Sequence, residues 1–238
     1  MDNLKKLYIY KSLSNDETVL SGIRFCDFIE HSPIPINNIL LLKGDCIGEK
    51  SWNRFELFEG HEQIAKLKQE DIYSHGDFSF VDYANTGSLH LLTDEQIAEL
   101  LYFSHMRKPL RSPFFDALRN EFAYLAHDDG WYCKVYCKDK QVPISILLGK
   151  LRVVVQKIVG NDLYTLPAGL VESIYELSSK GLLIELESAP HKNKAIAIRL
   201  YVVGEYENMD ILLNNSKQIR TSISYEEKIV GMPRGRPC

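Results

Sequence analysis

Apolar and polar positions regroup along the chain so that short apolar runs, expected as strands, are separated by stretches with helical spacing. Leu7, Tyr8, Ile9 and Tyr10 are consecutive strand formers, so 6–11 is expected to be extended. From Asp16 to Ile29, the positions Leu20, Ile23, Phe28 and Ile29 give a loose helical face, closed by Pro33 and Pro35. Asn38 to Lys43 is a short apolar run bounded by Asn and Gly, the pattern of a buried strand. Trp52 to Gln69 reads as a helix broken at Gly60, and Asp77 to Tyr83 as a strand between turns.

Asp94 to Met106 carries the clearest helical signal. Thr93 and Gln96 fit a capping box, and Ile97, Leu100 and Leu101 share one face. Ser112 as N-cap and Pro113 at the first helical position predict a further helix to about His127, with Phe115, Leu118, Phe122 and Leu125 as its stripe and Gly130 as its stop. Trp131 to Lys138 reads as a strand, and 144–159 and 167–179 as helices. A hairpin follows, Leu182 to Glu187 and Ala195 to Val203 around Pro-His-Lys-Asn-Lys, then a short helix at 209–214 and a last strand at 219–225. This order predicts an α+β or α/β fold, a mixed sheet packed with helices and ending in a helix-plus-hairpin part. Residues 1–231 are expected to form one domain, any subdivision falling at 139–143, and 232–238 a basic Pro/Arg tail.

Composition narrows the class. Of 238 residues, 45% are hydrophobic and 25% charged, a globular balance far from the disordered one. The net charge of −4 argues against bulk attraction to nucleic acid or anionic lipid. Five scattered cysteines, an odd count, point to a reducing compartment, hence the cytoplasm. Met1 to Leu13 has no continuous apolar stretch, so no secretory signal is expected. The most apolar segment, 144–159, is interrupted by Lys150, Arg152 and Lys157, so no membrane contact is expected either.

Candidate chemistry is sparse. Cys133 and Cys137 fall on one face of an expected strand, where two core residues are the simpler account than a zinc site. Gly44 to Ser51 follows an apolar run and ends in Lys-Ser like a phosphate loop, with Asp82 at a strand end where such folds bind magnesium. Glu49 stands where close backbone approach needs Gly, so a polar turn is expected.

The segment Ala126-His127-Asp128-Asp129-Gly130 stands out because acidic residues at an expected helix C-terminus oppose the helix dipole. It resembles the His-Asp motif of the HD superfamily of metal-dependent phosphohydrolases. That resemblance implies His105, His127 and Asp128 as metal ligands, with His127, Asp128 and Asp129 as catalytic candidates and a divalent metal as cofactor. Trp131 departs from the family's usual Lys, and the strand expected next departs from its all-helical fold. The tail Pro233-Arg234-Gly235-Arg236-Pro237 matches the core of the AT-hook, which lays two Arg into the A·T minor groove. Arg234, Gly235 and Arg236 are therefore the nucleic-acid candidates. The expected helix at 167–179 and its hairpin also have the outline of a winged helix, although Glu185 and Glu187 line the first wing strand.

Asp77 to Lys138, with Ile97-Ala98-Glu99-Leu100-Leu101-Tyr102 and Ala126 to Trp131, resembles a family of Gram-positive bacterial proteins of unknown function. The resemblance implies a bacterial source and no activity. The expectation is a non-enzymatic binding or regulatory protein without cofactor, its partner another protein. The alternatives are the metal-dependent phosphohydrolase and a DNA-associated regulator using the tail.

Overall fold

The computed structural model describes residues 6–14, 17–47, 50–69, 78–104, 110–127, 132–160, 166–188, 196–204 and 222–227. Among these residues ten strands form one sheet: β1 (Lys6–Lys11), β2 (Glu17–Ser21), β3 (Asn38–Ile47), β4 (Lys50–Glu59), β5 (Phe78–Asp82), β6 (Phe122–His127), β7 (Tyr132–Cys137), β8 (Leu182–Ser188), β9 (Ile196–Val202) and β10 (Ser222–Glu227). Their spatial order is β10-β9-β8-β1-β2-β7-β6-β5-β3-β4. Every pairing is antiparallel, which decides for α+β between the two expected classes. The helices are α1 (Phe25–His31), α2 (Gly60–Gln69), α3 (Thr86–Leu89), α4 (Asp94–Ser104), α5 (Gln141–Val159) and α6 (Ala168–Leu177), the last running into a 3-10 turn at Ser178–Lys180. Among the described residues no helix is long and apolar enough to cross a membrane.

The main core lies on one face of the sheet, where α1, α2, α5 and α6 contribute Phe25, Phe28, Ile64, Leu67, Leu147, Leu151, Val171 and Ile174. At its centre Phe25 and Phe28 meet Phe78 and Phe80 of β5 and Phe122 and Tyr124 of β6. The Phe25–Phe80 rings are T-shaped at 5.2 Å, and Phe80–Tyr124 are stacked at 4.8 Å. On the other face Leu100 and Phe103 of α4, with Phe115 and Leu118, cover Leu40, Leu42, Val81, Ala123 and Leu125.

That second layer explains the largest departure from the sequence expectation. Residues 113–127 do not form a helix; Phe122–His127 is β6. Phe122, Tyr124 and Ala126 face the main core, while Ala123 and Leu125 face the second. A strand buried on both faces is apolar at every position, and such a run fits helical spacing equally well. Ser112 and Pro113 open a turn instead, held by the buried Asn120 side chain, which accepts from Phe115 N–H at 2.7 Å and donates to Pro113 O at 2.8 Å. Arg119, at φ 55°, turns the chain toward β6.

Two other expected helices are part strand for related reasons. In 16–29, Glu17–Ser21 is β2, buried at all five positions between β1 and β7, and only Phe25–His31 is helical. In 52–69, the chain is strand to Glu59. Gly60, at φ +76°, then turns it into α2.

Candidate functional site

Of the metal, catalytic and nucleic-acid candidates, the described structure includes only the backbone of His127, the last residue of β6, paired with Tyr132 of β7. No helix ends there, so the expected opposition to a helix dipole does not arise. His105, Asp128, Asp129, Arg234, Gly235 and Arg236 lie outside the described residues, as do the hairpin tip 191–194 and the expected helix at 209–214. Cys133 and Cys137 both point into the main core, and burial pushes the Cys133 thiol up to about 12, away from the thiolate a metal needs. The described parts of the Gly44 to Ser51 segment, 44–47 and 50–51, continue the β3–β4 ladder, in which Gly44 pairs with Asn53 and Ile47 with Lys50, and strand rather than helix follows Ser51. Asp82 does end β5, but its carboxylate accepts from the backbone N–H groups of Glu121 and Phe122 at 3.0 and 2.9 Å, fixing the entry to β6.

Two places in the fold present polar or apolar groups for binding. The first is a cleft of about 130 Å³ where β1, β2 and β7 end against the start of α5, lined by Lys11, Glu17, Thr18, Lys138, Lys140 and Tyr175 among others. Three of its four charges have partners close by. Glu17 accepts from Tyr136 Oη at 2.9 Å, Lys11 Nζ lies 3.3 Å from Glu176, and Lys138 Nζ lies 3.8 Å from Glu121. Thr18 and Tyr175 hydroxyls lie 3.4 Å apart. The fourth lining charge is Lys140, at the start of α5.

The second is β4. It ends the sheet, with no strand beyond it among the described residues. In an antiparallel ladder every second residue of an edge strand turns its N–H and C=O outward, a template for another strand. Phe55 pairs with Leu42 and Leu57 with Leu40, so all four share the face that α4 covers. However, α4 packs on β3 and β5 and stops there, leaving Phe55 and Leu57 43% and 44% exposed. The opposite face of β4 is held down, because Phe58 packs into the main core under α2. The strand is also anchored at its end. Gly60 N–H donates to Asn37 O at 2.7 Å, and the Glu59 carboxylate accepts from Thr86 and from Tyr83 Oη at 3.0 Å. β4 is thus an edge strand anchored at its Glu59 end, with Phe55 and Leu57 left exposed on one face.

The helix expected over 52–69 hides this edge; the Phe55, Leu57 alternation is a strand signal, though not one that places the strand at a margin. Comparison with known proteins adds no relative. No family model, curated protein or solved structure matches the chain.

Proposed function

We propose that this chain is a non-enzymatic, cytoplasmic binding protein that acts by pairing β4 with a strand of another polypeptide. The observation that carries this is the bare stripe of Phe55 and Leu57 on an anchored edge strand. Long edge strands with exposed apolar side chains invite pairing, and proteins blunt them unless pairing is their use. In strand addition the main chain supplies affinity and alternate side chains supply selectivity. Here Phe55 and Leu57 would select a partner strand with apolar residues on the matching face.

A photo-crosslinking side chain placed at Leu57, and separately at the more exposed Leu13 (82%), tests this in cells making the full chain. Polypeptide adducts are expected from position 57 and not from 13. Equal adducts from both positions, or none from 57, would contradict the proposal.

A further inference from the structure

We infer that the strand β4 binds is β4 of a second copy of this chain, giving a two-fold dimer whose sheet continues across the axis. This rests on the reading that β4 pairs with a polypeptide strand, and it names that strand.

The β4 sequence, Lys-Ser-Trp-Asn-Arg-Phe-Glu-Leu-Phe-Glu over 50–59, is polarised. Its cations, Lys50 and Arg54, precede its anions, Glu56 and Glu59. Two copies running antiparallel set the cationic half of each against the anionic half of the other; parallel pairing would set like charges side by side. In the register centred on Phe55, that residue faces its own counterpart, and Arg54 stands opposite Glu56 of the second copy. The axis repeats the Arg54–Glu56 position on the other side, so one favourable cross-strand pair occurs twice. Phe55 and Leu57 of both copies then lie on the same face of the joined sheet, so their exposed stripes meet at the seam.

Topology supports the same occupant. Pairing β4 with β4 uses the same patch on both copies and closes, whereas pairing β4 with the opposite edge, β10, would run on into an open filament. Self-pairing of β10 lacks the complementarity, because Ser222–Glu227 carries two acids and no cation.

Sedimentation equilibrium on the full chain tests the inference. The expected species is a dimer at twice the chain mass, dissociating on dilution. Arg54→Glu and Glu56→Arg are each expected to weaken it by about tenfold or more, and the double variant Arg54→Glu/Glu56→Arg to restore it. Leu57→Lys provides a further dissociating variant, and circular dichroism confirms that each chain is folded. A wild type that stays monomeric, or a dimer indifferent to all four variants, would overturn the inference. The two readings separate on the Leu57 adduct. A monomeric wild type that crosslinks there to a different protein overturns the second copy and leaves strand pairing in place. The absence of any adduct at 57 overturns both.

Discussion

Asp27 and Lys150 form an ion pair at 2.6 Å with side chains only 11% and 4% exposed. Asp27 also accepts from the Arg24 backbone N–H at 2.9 Å, so it closes the start of α1 while tying that helix to α5. Removing one partner leaves a buried, uncompensated charge, so Lys150→Met is expected to cost about 3–5 kcal/mol in urea denaturation. The double variant Asp27→Leu/Lys150→Met is expected to recover most of that loss, which a double-mutant cycle reads directly. Asp82 gives a pH signature. Burial pushes its carboxyl up to about 6, against the two backbone N–H bonds that favour the charged form. The folded state therefore holds this proton more tightly than the unfolded chain, whose Asp titrates near ~3.9. The contribution is complete below the unfolded value and is lost as pH rises through about 6. Asp82→Asn is expected to flatten the wild-type loss of stability with rising pH in that window, read as the difference between the two denaturation profiles. Asp82 stood out in the sequence as an acid at a strand end, but its hydrogen-bond donors lie about forty residues on, at Glu121 and Phe122. The Asp27–Lys150 pair, 123 residues apart, left no local trace.

Elements were legible where a capping signal or flanking turn residues bound them. The α4 start behaves as Thr93 and Gln96 foretold. Gln96 N–H donates to Thr93 Oγ1 at 3.3 Å and Thr93 N–H to Gln96 Oε1 at 3.1 Å, so Thr93→Ala is expected to lower stability by about 1 kcal/mol in thermal unfolding. β1, β5 and the β8–β9 hairpin also fall close to their expected places. Where both faces are covered, as in β2 and β6, periodicity disappears, and helix and strand cannot be told apart from spacing. The connection into β8 carries a test of close approach. Gly181 sits at φ +67°, and a Cβ there would collide with the Gly204 carbonyl oxygen, beside the bond from Val203 N–H to Gly181 O at 2.9 Å. Gly181→Ala is expected to cost roughly 2–3 kcal/mol, from the strained backbone and the displaced Gly204 together.

Across the whole molecule, the sheet joins the two ends of the chain, since β8 pairs with β1 and carries β9 and β10 with it. That leaves β4, from the middle of the sequence, at the opposite margin. Which strand lies at an edge is a property of topology, set by long-range pairing, and no local pattern in 50–59 reports it. The charged and histidine-bearing segments at 105, 127–129 and 234–236 carry recognisable chemistry in the sequence. An edge strand carries no such motif; it offers its backbone and the side chains that alternate along it. The central claim is that this edge is paired in solution, and amide hydrogen exchange across β4 tests it most directly. Paired β4 is expected to show slow exchange at alternate amides on its outward side, with protection lost on dilution and in Leu57→Lys. Fast exchange at those outward amides at every concentration, with the amides facing β3 still protected, would contradict it.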